Sequence, residues 1–283
     1  MSKKRRPEPK PPEFLPHLVD AHTHLWATGA HDAAGISELM TRAAGSGVEW
    51  VCTVGDGLDE AEKALEAAHL HPDVVAACAI HPTRAGELTD SVRARIEEMA
   101  EDPRCVAVGE TGLDYYWLGK LDECADKDTQ REALRWHADL ARRVNKPLMI
   151  HNHEGDEDLL AILADYGDDL TVMLHCFSSP LDVAEEALSR GYILSFAGNS
   201  TFKRNDELHE AARRAPVGQI TVETDAPYMT PEPFRGAKNE SAYVGYAARR
   251  LAEVRGETSE EFALHTGQTA ARIFGVERSS SED

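Results

Sequence analysis

The sequence has no uninterrupted apolar stretch approaching the roughly 20 residues that a membrane-spanning helix needs. Its basic, proline-rich opening, MSKKRRPEPKPPEFLP, lacks the apolar centre of a secretory signal. Membrane insertion and export are therefore both set aside, and a cytoplasmic location is expected. Cysteine is sparse: Cys52, Cys78, Cys105, Cys124 and Cys176 are odd in number, unevenly spaced and mostly embedded in apolar runs, which suits buried thiols in a reducing compartment rather than a disulfide framework. Positive charge is also short, with 30 Lys and Arg against 50 Asp and Glu and a formal net charge of −20. Such a balance opposes long-range attraction to a polyanion and argues against a protein that coats nucleic acid. It leaves room for a local phosphate site, because a diffuse field is screened within about 8 Å at physiological salt and bound cations outweigh it nearby. Three further absences narrow the chemistry. There is no Gly-x-Ser-x-Gly elbow, no P-loop and no His-Glu-x-x-His, since HEGDE lacks the second histidine.

What the sequence does contain is a regular alternation of short β-branched or apolar runs with longer amphipathic segments rich in Ala, Leu, Glu and Arg. The runs predict strands over His17 to Ala21, Val48 to Val54, Val74 to Ile80, Cys105 to Gly109, Pro147 to Ile150, Thr171 to Leu174, Tyr192 to Ala197 and Ile220 to Thr224. Helices are predicted between them, among them ISELMTRAAGSG with Gly45 and Gly47 as stops, LDEAEKALEAAHLH ended by Pro72, and TQREALRWHADLARRVNKP ended by Pro147. Two more follow the last strand, the second opening with the capping-box pair Thr258 and Glu261 and stopping at Gly275. Continuous apolar runs such as VVAACAI and TVMLHCF fit strands buried on both faces, as in a parallel sheet. Eight such units predict an α/β protein, a (β/α)8 TIM barrel. A doubly wound open sheet would carry a glycine-rich phosphate loop after its first strand, where this chain has DAHTHLW. One barrel domain is expected over residues 17–276, with disordered tails at 1–16 and 277–283. Lys3, Lys4, Arg5 and Arg6 in the first tail read as solvated charge.

Barrel enzymes draw their chemistry from the C-terminal ends of several strands. By this reading His22 and His24 follow strand one, His81 strand three, Glu110 strand four, His151 strand five, His175 strand six and Asp225 strand eight. With His153, six of the 13 histidines fall near these ends, which points to a metal site rather than scattered structural histidines. Imidazoles and carboxylates together suit Zn²⁺, Mn²⁺, Fe²⁺, Ni²⁺ or Mg²⁺. Cys176, next to His175, is expected on the opposite face of its strand, which argues against a Cys/His nucleophile. Two ions about 3.5–4 Å apart favour hydrolysis by phosphoryl displacement. The late loops offer Lys203, Arg204, Arg235 and Lys238 as cations for phosphate, or as ordinary surface charge. Trp26, Tyr115, Tyr116, Trp117, Phe177, Phe202 and Tyr228 flank the same mouth, either to stack on bases or to pack loops.

From about Leu18 to Val276 the chain resembles the TatD family of metal-dependent deoxyribonucleases, in the amidohydrolase superfamily. The resemblance rests on DAHTHL, IHPT, VGETGLDYYW, PLMIH, LHCFSS, TFK, ETDAPYMTP and RGAKNE in the family's order. It implies a metallo-dependent hydrolase with two divalent ions, Mg, Mn or Zn. His22, His24 and Asp225 would hold one, His151 and His175 the other, with Glu110 bridging and Asp225 orienting or deprotonating the attacking water. His81 would face the phosphate, alongside Lys203, Arg204 and Arg235. DNA ends or single strands are the implied partners, with preference for the 3′ end, and some members also act on RNA. The chain departs from the family pattern at His153 (usually Arg), Thr83 (commonly His) and Ser241 (usually Pro). The alternatives carried forward are an ester or amide hydrolase, such as a deacylase of D-aminoacyl transfer RNA, and a non-catalytic metal-binding barrel.

Overall fold

A computed structural model describes residues 8–277. Eight strands, β1 (Leu18–Thr23), β2 (Val48–Thr53), β3 (Val74–Ala77), β4 (Cys105–Asp114), β5 (Leu148–His153), β6 (Val172–Leu174), β7 (Ile193–Phe196) and β8 (Ile220–Val222), lie in sequence order, each parallel to the next. The helices are α1 (Leu25–Thr28), α2 (Ala33–Gly45), α3 (Leu58–Leu70), α4 (Asp90–Glu101), α5 (Lys127–Val144), α6 (Asp156–Ala164), α7 (Leu181–Ser189), α8 (Asp206–Arg214), α9 (Val244–Arg255) and α10 (Ser259–Phe274). This is the (β/α)8 barrel that the alternation predicts. No described helix is long and apolar enough to cross a membrane.

The ends of the helices follow local chemistry. Asp126 caps α5, accepting from the Thr129 N–H at 2.8 Å, and Asn145 in a left-handed conformation ends it. Thr258 and Glu261 form both halves of the capping box on α10, and Gly275 stops it. Helix α10 lies across the N-terminal end of the barrel, where Phe274 meets Trp50 edge-on at 6.1 Å and packs with Val19, Ala21, Cys52 and Val106. That apolar plug leaves the C-terminal mouth as the open end.

β8 and β1 close the ring through side-chain and backbone hydrogen bonds together. The buried Asp20 carboxylate accepts the Thr224 N–H at 2.7 Å and its hydroxyl at 2.6 Å. Just beyond, Asp225 N–H donates to the His22 carbonyl at 3.0 Å, and His24 N–H to the Ala226 carbonyl at 2.8 Å. Burial raises the Asp20 carboxyl to about 7 against the lowering effect of the Thr224 bonds. Ser241, where the family usually has proline, is buried at this junction with its hydroxyl 3.4 Å from Thr23 Oγ1.

Three sequence expectations change. Residues 8–16 do not form a free tail: Leu15 is buried and donates its N–H to the Ser46 carbonyl at 3.1 Å, while Tyr246 and Arg249 of α9 donate to the carbonyls of Lys10 and Glu13. One large apolar side chain anchors the segment, and Gly47, at φ +96°, leaves the space where any Cβ would strike the Leu15 carbonyl. Lys3, Lys4, Arg5, Arg6 and residues 278–283 lie outside the described residues. Second, β4 runs five residues past the predicted Gly109, to Asp114. Its register against β5 slips between Val108 and Thr111, and Gly112, at φ +145°, lets the strand pass against the His151 carbonyl. Third, β1 extends to Thr23 and β5 to His153, so His22, Glu110 and His151 lie inside strands rather than after them.

Candidate metal centre

Two of the strand irregularities sit beside chemistry. β1 slips in register between Asp20 and Thr23 and β4 between Val108 and Thr111, re-aiming His22 and Glu110 into the barrel mouth. His22 and His24 bring their Nε2 atoms to 3.2 Å, and Asp225 Oδ1 lies 3.6 and 3.5 Å from them. On the far side, His151 Nδ1 and His175 Nε2 are 3.3 Å apart. Glu110 spans the two groups. Its Oε1 lies 3.7 and 3.5 Å from the His22 and His24 nitrogens, and its Oε2 lies 2.8 Å from His175 Nε2 and 3.5 Å from His151 Nδ1.

Each histidine turns its other nitrogen outward to a separate group. His22 Nδ1 meets Met149 Sδ at 3.1 Å, His151 Nε2 meets Asp114 Oδ2 at 2.9 Å, and His175 Nδ1 meets Glu223 Oε1 at 3.2 Å. His24 Nδ1 faces Asp56 Oδ1 at 3.7 Å. An outward N–H leaves the inward nitrogen as a lone pair, the form in which imidazole binds a metal. Glu110 Oε2 is buried and, despite its closeness to His175 Nε2, has no hydrogen-bond partner among the described residues. A carboxylate oxygen and an imidazole nitrogen sharing one small space, unbonded to each other, is a geometry that a cation satisfies. The residues present therefore fit a divalent ion on either side of Glu110.

The electrostatics favour cations as well. Burial alone would depress His24, but the Asp225, Glu110 and Asp56 carboxylates outweigh it and raise the imidazole to about 9. Burial would raise Glu110, yet His175 and His22 hold it well below the usual carboxylate range. His22 is pushed well down, by burial first and by His175 second, so it stays an uncharged donor. The negative field that collects protons here equally attracts a metal ion.

A cavity of about 500 Å³ stands over this cluster. His81 lines it, with Nδ1 accepting the Thr83 N–H at 3.3 Å and lying 2.7 Å from its hydroxyl. Because Nδ1 accepts from Thr83, Nε2 is the nitrogen of His81 that carries the proton. Burial, with the neighbouring His151, lowers His81 to about 3, so it is a neutral donor. His153 also reaches the cavity and stacks on Tyr116, with ring centroids 4.4 Å apart.

The expected cations do not gather here. Lys203, Arg204 and Arg235 are exposed, and none lines this cavity. Arg235 lies over the Phe202 ring at 4.1 Å, while Arg204 lines a neighbouring cavity, also about 500 Å³, that shares Ser178 with the first. Of the aromatic residues, Trp117 and Tyr228 line the metal cavity. Trp26 instead packs on His31, with Lys63 Nζ 4.2 Å above its ring, and Phe177 is buried in the core. Cys176 corrects another expectation. It lies past the end of β6 at φ +43°, where strand alternation no longer holds, and it lines the cavity near Asp225 instead of facing away. Burial drives its thiol well up, so it stays protonated and poorly nucleophilic. All five cysteines are free.

The residues missed from sequence are Asp56, Asp114, Met149 and Glu223. A signal existed for two of them, since Asp56 follows strand two in TVGDG and Glu223 lies two residues before Asp225 in ETD.

The family model for TatD related DNase matches residues 19–275. The uncharacterized metal-dependent hydrolase TatD of Mycobacterium tuberculosis is 49% identical, the match covering 92% of this chain and 98% of the relative. The 3′-5′ ssDNA/RNA exonuclease TatD of Erwinia tasmaniensis is 28% identical over 88% of this chain and 97% of its own length. Among solved structures, YJJV, the TatD homologue of Escherichia coli K12, superposes with a TM-score of 0.81 at 24% identity, covering 92% of this chain and 99% of that one. Matched from its first strand to its last helix and carrying paired His/carboxylate clusters at the mouth of the barrel, the chain belongs to the TatD-related DNase family of metal-dependent hydrolases.

Proposed function

We propose that this protein is an exonuclease that hydrolyses phosphodiester bonds at the 3′ end of single-stranded DNA. The carrying observation is Glu110, whose two oxygens face two separate nitrogen-rich groups, His22 with His24 and His151 with His175. In this reading His22, His24 and Asp225 hold one divalent ion, Mg, Mn or Zn, and His151 and His175 a second. Such a pair supplies Lewis-acid stabilisation of the attacking and departing oxygens and makes water acidic enough to attack near neutral pH. Asp225 orients the attacking water and takes its proton. His81 donates its Nε2–H to a non-bridging phosphate oxygen, a neutral donor that stays in place across the working pH range. The Erwinia relative's name, a 3′-5′ exonuclease on single-stranded DNA and RNA, supports the choice of substrate and direction.

The test uses metal-loaded protein with 3′-labelled and 5′-labelled single-stranded DNA, beside a D-aminoacyl transfer RNA, with Glu110→Gln as control. Release of mononucleotides from the 3′ end, abolished by the substitution, is the expected result. Intact DNA with rapid deacylation would move the protein to the ester hydrolases, and inertness toward both substrates with Mg, Mn and Zn would leave a metal-binding barrel without this activity.

A further inference from the structure

Among the described residues eight large apolar side chains are exposed, and four of them, Trp117, Leu121, Tyr228 and Met229, line the metal cavity. Apolar surface gathered around a polar floor marks a binding site more than a packing accident. Their positions follow from topology. Trp117 and Leu121 lie in the loop after β4, and Tyr228 and Met229 in the loop after β8; four strands apart in an eight-stranded barrel, these loops face each other across the mouth.

Both walls are held. The Trp117 N–H donates to Asp114 Oδ1 at 3.2 Å, and Tyr116 meets the Trp117 ring edge-on at 5.0 Å while stacking on His153. The Tyr228 N–H donates to the Asp225 carbonyl at 2.8 Å, its own carbonyl accepts from Asn239 Nδ2 at 2.7 Å, and its ring stands edge-on to His24 at 5.8 Å. Each wall is thus tied to the cluster it overlooks, while among the described residues no lysine or arginine lines the cavity.

We infer that these two walls form a base-stacking cleft, which takes the unpaired terminal nucleobases of a strand beside the phosphate being cleaved. The inference rests on the nuclease reading above and deepens it. Flat rings offer every base a stacking surface without reading its edge, so the cleft is indifferent to sequence. A paired base must first leave its helix at an unstacking cost, so the cleft selects single-stranded or frayed ends. With no lysine or arginine among the described residues lining the cavity, stacking supplies the grip on the terminal bases there.

The test compares kcat/KM on a single-stranded oligonucleotide with kcat/KM on the same oligomer carrying two abasic residues at its 3′ end. Stacking of two bases predicts that the abasic end is poorer by at least about thirty-fold, mostly in KM. Trp117→Ala is expected to bring the ratio of the two substrates close to one and Trp117→Phe to preserve it, with Tyr228→Ala as the second probe should Trp117→Ala fold poorly. Independently of turnover, binding of a phosphorothioate oligothymidylate should quench tryptophan fluorescence in the wild type and not in Trp117→Phe. Equal cleavage of both substrates by the wild type, or a quench that persists in Trp117→Phe, would overturn the cleft and leave the nuclease reading standing. No cleavage of either substrate with any of the three metals would overturn both.

Discussion

Replacing Glu223 with glutamine separates the stability of the fold from the affinity for metal. Glu223 is fully buried; Oε1 accepts from Cys176 N–H at 2.8 Å and lies 3.2 Å from His175 Nδ1, while Oε2 accepts from the Ser195 hydroxyl. Glutamine can keep all three contacts, with its carbonyl in place of Oε1 and its amide donating to Ser195 Oγ. What it removes is the negative charge behind the His175 ring. A hydrogen bond to a charged acceptor contributes about 1.5–3 kcal/mol against about 0.5–1.5 kcal/mol for a neutral one, so the imidazole loses about 1–1.5 kcal/mol of support. That is about ten-fold in affinity, within the ten- to hundred-fold range typical of outer partners of metal-bound histidine. The loss should fall on one ion. Titration calorimetry with elemental analysis should show the His151/His175 site weakened and the His22/His24/Asp225 site retained, so that metal content under limiting supply moves toward one ion per chain. Metal-free thermal unfolding should change little, because the substitution also removes a buried carboxylate that burial already disfavours in its charged form. Two full-strength sites in Glu223→Gln, or equal weakening of both, would refute the reasoning.

Other predictions address the frame and the substrate. His137 is buried; burial lowers it to about 4 from 6.5, and it has the Ile80 N–H at 3.2 Å and the Ala133 carbonyl at 2.8 Å. Because the unfolded chain binds this proton first, stability is held above pH 6.5 and lost as pH falls toward 4, by about 3 kcal/mol; urea unfolding across that window should show a difference from His137→Gln that vanishes at pH 7.5 if the two are matched there. Asp20→Ala leaves the Thr224 N–H and hydroxyl without their buried acceptor and should cost about 2 kcal/mol, read as a lower urea midpoint, with Asp20→Asn costing less. Glu110→Gln should lower metal affinity by more than the about hundred-fold ceiling of an outer partner, measured by calorimetry, and a smaller loss would remove Glu110 from its bridging place. Arg204→Ala should raise KM for long oligonucleotides and leave dinucleotides unaffected, since Arg204 lines the cavity reached past Ser178; equal effects on both lengths would place Arg204 elsewhere.

The fold was legible because strand and helix periods differ and alternate eight times, and because turn and cap residues such as Gly47 and Gly275 punctuate them. The inner residues of the cluster were legible for a related reason, since barrel geometry sends strand ends to one rim. Boundaries were less so. Gly109 and Gly112 look like turn signals in sequence, yet β4 continues through both because it bulges there and needs close approach to β5. Outer partners were hidden, since Met149 becomes the neighbour of His22 only once β1 and β5 are brought across the barrel. Cys176 was misplaced because alternation was extended two residues beyond a three-residue strand into a left-handed turn. The late-loop cations lie farther from the cluster than the sequence suggests: composition cannot say which way a surface arginine leans, and Arg235 leans on Phe202.

The closing contact between Asp20 and Thr224 joins residues 204 positions apart. The nearby pairing of His22 with Asp225 spans nearly as much chain. A growing polypeptide therefore holds most of its histidines long before it can assemble them around one point, and seven finished strand-helix units still lack the last carboxylate. On the proposed metal reading, hydrolytic competence waits for residue 225, so a fragment ending before Asp225 is expected to be inert toward the polymer that the whole protein is proposed to cut.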